Sequence, residues 1–336
     1  MNTILHFIRN LIVLCIFIAL CIFLSLPFGA SAQEKVFRIG IIGLDTSHVV
    51  MFTRQINDPK NNYGCRVTVA FKGGSPDIPT SADRIEGYTR ELRDSLGIEI
   101  VSSIQELLRR VDGVLLESVD GRKHLEQVKL VFAAKKPVYI DKPMAGSLSE
   151  VIEIFRLAKE NGVPCWSSSS LRYCPGIIGM RNNPAIGEVM GCDAFSPCSL
   201  EPHHPDLFWY GIHGVETLFT IMGTGCETVQ RAQTRDTEYA VGVWKDGRIG
   251  TFRGIRSGRQ DYGAYVFGSK GIGPSGGYVG SGPLTDVIIT FFKTGKIPVP
   301  PEETIEIYAF MAAADESKKL GGAPVSLEEM IKKAAK

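Results

Sequence analysis

Apolar residues along the chain follow two rhythms. From about residue 36 to residue 165, short runs rich in branched side chains (36–42, 66–71, 99–101, 113–117 and 137–140) alternate with stretches whose apolar residues recur at helical spacing. Those helical stretches are 47–56, 81–96, 103–109, 120–135 and 147–161. Ser103 followed by Glu106 reads as a capping box, and Gly162 reads as a helix stop. Strands alternating with helices in this way predict an α/β domain with a doubly wound parallel sheet.

After Tyr173 the pattern shifts to period two. Residues 189–198, 238–244, 249–255 and 262–267 read as strands, and Lys245-Asp246-Gly247 is a hairpin signal between two of them. One helix, 206–221, interrupts this set, and two more, 284–292 and 302–319, close the chain around Pro298, Pro300 and Pro301. The second half is therefore expected to be an α+β domain with a mostly antiparallel open sheet. The four serines Ser167 to Ser170 mark the boundary, giving domains at 33–168 and 169–336.

Residues 1–32 stand apart. An apolar run from Leu11 to Phe28 follows a single charge, Arg9, and ends in Ala30-Ser31-Ala32, the small-x-small pattern of a signal peptidase site. A signal peptide cleaved after Ala32 is expected, hence a periplasmic or secreted protein whose only dealing with a membrane is that leader. The formal charge is +1 overall, and loss of Arg9 leaves the remainder neutral. With no basic run, nucleic acid is excluded as a partner and a small molecule is favoured. Cys65, Cys165, Cys174, Cys192, Cys198 and Cys226 contain no CxxC pair, so they read either as disulfides of unassignable connectivity or as small buried hydrophobes.

The chemistry gathers where strands of the first half end. The turn after the first strand reads Gly43-Leu-Asp45-Thr46-Ser47-His48. In a dinucleotide-binding turn, glycines at the first, second and third of these fingerprint places make the turn, admit the pyrophosphate and pack helix on strand. Only Gly43 is kept; Asp45 and His48 hold the other two. A carboxylate facing a pyrophosphate near 4 Å costs about 1 kcal/mol in water and several in a drier site. Asp45 is therefore expected to weaken nucleotide binding, with Asp45→Gly expected to restore it. Lys72, after the second strand, is placed to meet a 2′-phosphate.

The most specific stretch runs from Val111 through Glu117 and His124 to Asp141-Lys142-Pro143. It resembles the Gfo/Idh/MocA family of sugar dehydrogenases, which carries a Glu-Lys-Pro triplet after the fifth strand. Leu171-Arg172-Tyr173-Cys174-Pro175 is similar to that family's Arg-aromatic-x-Pro segment, and Gly211-Ile212-His213 to its Gly-Ile-His helix. The resemblance implies a Rossmann-type first domain that binds NAD or NADP, and an oxidoreductase acting on CH–OH groups of a sugar or polyol. It implies that Lys142 hydrogen-bonds the reacting hydroxyl and that His213 moves its proton. It places Gly43, Asp45, Thr46, Ser47, His48, Lys72, Glu117, Asp141 and Lys142 at the cofactor. It places His124, Arg172, His203, His204, Trp209, Tyr210 and Glu216 toward the substrate. One position departs from the pattern: Trp209 stands where the family has an Asp one helical turn before the His.

Glu201, His203, His204 and Asp206 precede the helix of His213 and Glu216, a mixture of imidazoles and carboxylates that also suits a divalent metal. No metal ligand set is assigned on sequence. A non-redox alternative keeps the fold as a sugar-binding protein, or as a lyase or hydrolase, metal-assisted in one form. An open antiparallel sheet with helices on one face needs cover on the other, so a homo-oligomer is expected.

Overall fold

The computed structural model describes residues 1–12 and 36–336. The chain forms two units, residues 1–35 and residues 36–336. Residues 2–12 are helical; most of the expected leader, including its cleavage site after Ala32, lies outside the described residues. Among the described residues, no helix is long and apolar enough to cross a membrane.

The unit of residues 36–336 contains two sheets. The first has six parallel strands: β1 (Phe37–Ile42), β2 (Cys65–Phe71), β3 (Glu99–Val101), β4 (Gly113–Leu116), β5 (Val138–Ile140) and β6 (Cys165–Ser167), in the order β3-β2-β1-β4-β5-β6. This is the Rossmann order, with its switch point between β1 and β4. Helices cover both faces, so β4 and β5 are buried at every residue and carry no polar alternation. Ser103 and Ser147 cap their helices by accepting the Glu106 and Glu150 amides, and Gly162 ends its helix at φ +63°. The expected helix 81–96 is instead a turn at Pro79–Ala82, a short helix Ile85–Arg90 and a π-turn Glu91–Ser95. The Ser81 side chain is drawn inward, away from capping.

The helices that bear on the site are α1 (His48–Asn57), α2 (His124–Ala133), α3 (Leu148–Asn161), α4 (Asp206–Trp209), α5 (Ile212–Met222), α6 (Gly282–Thr294), α7 (Pro301–Lys319) and α8 (Leu327–Ala334). The expected helix 206–221 is broken at Tyr210-Gly211 into α4 and α5. A Cβ on Gly211 would lie 2.9 Å from the Leu207 carbonyl oxygen, so the chain passes there only without a side chain.

The second sheet has seven strands: β7 (Val189–Pro197), β8 (Cys226–Gln233), β9 (Thr237–Trp244), β10 (Ile249–Ile255), β11 (Gly263–Gly268), β12 (Ile272–Pro274) and β13 (Val325–Ser326). Their order is β12-β11-β7-β10-β9-β8-β13, antiparallel except where β10 meets β7. Gly247, at φ +83°, turns the β9–β10 hairpin at the expected place. Helices α5 and α7 pack on one face. Met190, Val243, Ile249, Tyr265 and Phe267 are exposed on the strands themselves. Helix α6 returns to the first sheet, where Leu284, Ile288 and Phe291 join Ile39, Phe52 and Trp166 in one core. The six cysteines of this unit are free and buried, as small hydrophobes.

Candidate functional site

A cavity of about 460 Å³ opens at the carboxyl ends of the first sheet and reaches the second. Open α/β sheets bind ligands at such an edge. Its first wall is the start of α1, where Thr46, Ser47 and His48 line it beside Met51, Thr80 and Arg84. Ser47 stands at the N-cap without a side-chain hydrogen bond to the helix, so its side chain does not cover the first-turn amides. Backbone N–H groups, the helix dipole, two hydroxyls and the Arg84 guanidinium make this wall a cradle for an anion.

The turn that leads into it is tighter than the glycine pattern suggested. Gly43 has φ +88°, and a Cβ there would lie 2.5 Å from the Ser118 backbone. Asp45 does not face the cavity. It is fully buried behind the turn, where Oδ1 accepts the Val119 amide at 2.9 Å and Oδ2 accepts the Ser81 hydroxyl at 2.6 Å. Burial raises the Asp45 carboxyl, and those two hydrogen bonds oppose the rise. The expected repulsion of pyrophosphate by Asp45 is therefore corrected: its carboxylate pins three loops together. Asp45→Gly should not tighten nucleotide binding, and it should cost about 1–3 kcal/mol of stability by baring the Val119 amide. Urea unfolding and calorimetric titration of the variant measure both. Lys72 is likewise corrected; it is exposed, pairs with Glu86 and stays outside the cavity lining.

The facing wall holds Lys142, Ser170, Ser199, Trp209, Tyr210, His213, Tyr262 and Tyr278. Lys142 follows β5, so the strand delivers its ammonium to the sheet edge, 5.7 Å over the Tyr210 ring. A cation at that distance is attracted by the ring face. His213 lies in the first turn of α5, with Nδ1 2.7 Å from Ser169 Oγ. Burial, then the charges of Lys142 and His48, push the His213 imidazole well below its ordinary range, so it is neutral at pH 7. The Tyr210 hydroxyl lies 3.1 Å from that of Tyr262. Trp209 packs with Ile78 and Val119, fixing the loop after β2 over the sheet edge.

Two carboxylates gather beneath His48. Its Nδ1 lies 2.7 Å from Asp141 Oδ2, and Glu117 closes the group from the end of β4. Burial would raise the Asp141 carboxyl, but His48 and Lys142 hold it at about 2. The Glu117 carboxyl is driven well above its usual range by burial and by Asp141.

The remaining expected residues play structural parts. His124 is buried between the Met144 and Ser118 carbonyls. Arg172 is buried between Glu216 and Glu303, at 2.7 Å from each. His203 and His204 both turn their Nδ1 to Glu201 at 2.7 Å, and His204 Nε2 lies 3.3 Å from Asp120. These residues and Glu216 are outside the cavity lining, so their assignment toward substrate is corrected. The sequence reading missed Thr80, Arg84, Ser169, Tyr262 and Tyr278. Only Ser169, in the Ser167–Ser170 run, carried a sequence signal.

Residues 37–169 match the family model described as "Oxidoreductase family, NAD-binding Rossmann fold" of Gfo/Idh/MocA. Over those residues the first domain is similar to that oxidoreductase family. A 1,5-anhydro-D-fructose reductase of Ensifer adhaerens is 31% identical over 131 residues, which span 38% of each chain. Likeness of fold extends further. The scyllo-inositol dehydrogenase of Lactobacillus casei superposes with a TM-score of 0.70 at 13% identity, over 88% of this chain and 99% of that one. An oxidoreductase of Agrobacterium radiobacter, solved with NAD+, L-tartaric acid and magnesium, gives 0.70 at 15% identity, over 88% and 99%. The Gfo/Idh/MocA cofactor fits the residues present: the uncapped start of α1 with Thr46, Ser47 and Arg84 suits the pyrophosphate, and the cavity continues to Lys142.

Proposed function

We propose that the protein is an NAD(P)-linked oxidoreductase that interconverts a hydroxyl and a carbonyl on a sugar or polyol. The observation that carries this reading is the convergence of Lys142 and a neutral His213 on one cavity, beside the anion cradle of an NAD-binding domain. When bound, NAD(P)H supplies a hydride to the carbonyl carbon while the oxygen takes up one proton; the reverse run removes both. The Lys142 ammonium hydrogen-bonds that oxygen and steadies its negative charge. The His213 imidazole accepts the hydroxyl proton in the oxidising direction, with Ser169 fixing its ring. Trp209, Tyr210, Tyr262 and Tyr278 offer apolar faces to sugar C–H groups, and the three tyrosines offer hydroxyls to its oxygens. The test is a nucleotide-absorbance assay with NADH and NADPH against anhydroketoses and inososes, with inositols run in reverse. Absence of both turnover and nucleotide binding would favour the non-redox alternative.

The depressed His213 fixes the sign of a pH effect. A base protonated only well below its ordinary range keeps its accepting form as pH falls through 6.5. The oxidising kcat/KM should therefore show no His213 limb near pH 6.5. A limb at that pH that disappears in His213→Asn would show instead an imidazole open to water.

The same reading includes export behind a leader cleaved after Ala32, which the intact mass of the cell-derived protein tests. It also includes a homo-oligomer. The exposed Tyr265 and Phe267 of the open sheet face support that part, and light scattering at micromolar concentration tests it.

A further inference from the structure

We propose that His48, Glu117 and Asp141 form a binding site for one divalent transition-metal ion at the floor of the cavity. The three come from the ends of three neighbouring elements: α1, β4 and β5. Each offers one ligand atom, and these atoms lie within 4.8 Å of one another. Tetrahedral metal–ligand bonds of about 2.0–2.2 Å put ligand atoms about 3.4 Å apart, so side-chain movements of about 1 Å close the set.

Glu117 is the independent sign. It is fully buried, and among the described residues neither carboxylate oxygen meets a hydrogen-bond donor. A buried carboxylate without a donor is costly, and proteins satisfy such groups with hydrogen bonds or metal ions. Asp141, also buried, adds a second carboxylate at the same point. A divalent ion neutralises both at once. The nearby positive groups, Lys142 and His48, do not neutralise Glu117 by contact, for neither forms an ion pair with it among the described residues.

One imidazole with two carboxylates is a nitrogen–oxygen set suited to Zn²⁺, Mn²⁺ or Fe²⁺, and it leaves further coordination positions to water or ligand. His48 is the member that lines the cavity, so those positions open toward Lys142 and His213. An ion there would hold a substrate oxygen. The glycine-to-histidine change in the turn thus gains a use. The proposal concerns metal binding alone and does not depend on hydride transfer.

The test uses the full chain, stripped with chelator and dialysed, without nucleotide or sugar. Titration with ZnCl₂ and MnCl₂ should show one equivalent bound. Glu117→Gln, which keeps the volume, and His48→Gln should each weaken that equivalent at least tenfold. With Co²⁺ as probe, the visible absorption of a bound ion should appear in the wild type and be lost in both variants. His203→Asn should leave every signal unchanged. Loss of the zinc equivalent in His203→Asn with retention in Glu117→Gln would place the ion at the Glu201 cluster and overturn the proposal. Failure of the wild type to bind either metal would overturn it too, leaving a proton shared between Glu117 and Asp141.

Discussion

Lys142→Met should lower turnover of a sugar substrate about 10²–10³-fold, the range for loss of one donor to a developing negative charge. Methionine keeps most of the stem volume and removes only the ammonium. The argument rests on where β5 ends. A three-residue buried strand, Val138–Ile140, leads through Asp141 to the cavity edge, so the side chain arrives at a fixed place. The anion cradle at α1 lies on other elements, so NAD(P)H affinity, measured by calorimetry, should change little. A fall in affinity matching the fall in rate would show that Lys142 holds nucleotide and leaves the reacting oxygen to another group. The rate is followed by nucleotide absorbance at saturating cofactor.

The sequence carried the strands of the first sheet well because burial on both faces produces unbroken apolar runs. Gly113-Val-Leu-Leu116 can hardly be anything else. It carried β8 poorly. Cys226-Glu-Thr-Val-Gln-Arg-Ala-Gln233 has buried residues only at scattered places, and its glutamines and charges hide the period of two. Helix α8 was missed for a related reason: Leu327 is its only buried residue, Met330, Ile331 and Ala334 are partly covered, and Glu328, Glu329, Lys332 and Lys333 are exposed. Lys142 and His213 were legible because each sits at a fixed distance from a strand or helix end within a known motif. Asp45 was misjudged because sequence gives a position in the turn and not a direction. The pull of the bare Val119 amide and the Ser81 hydroxyl, 74 and 36 residues away, turned the carboxylate inward. The histidines near residue 203 were drawn to Glu201 instead of the cavity by the same kind of local hydrogen bonding. Tyr262 and Tyr278 come to the site from the second sheet and the loop beyond it, and nothing in their neighbours announces that.

Glu216→Ala should lower the free energy of unfolding by about 3–5 kcal/mol, the cost of removing one partner from a buried ion pair. Glu216 lies three residues after His213, on the same face of α5. Its Oε1 accepts Arg172 Nε at 2.7 Å and its Oε2 accepts the Ser169 amide at 2.7 Å. Truncation would leave Arg172 with Glu303 alone and strip the Ser169 amide in a buried setting. Arg172 and Ser169 both follow β6, so the carboxylate clamps the end of the first sheet to the helix of the second half. It also holds the serine that orients His213, and turnover should fall along with stability. If the loss comes from the half-paired guanidinium, pairing Glu216→Leu with Arg172→Met should recover part of it, because an apolar pair replaces a buried ion pair at little cost while Glu303 loses its partner. Urea unfolding at pH 7 of the single and double variants separates the terms. A loss in Glu216→Ala below about 1 kcal/mol, the range of exposed pairs, would mean that water reaches Arg172 and that the clamp is made by packing of α5 instead.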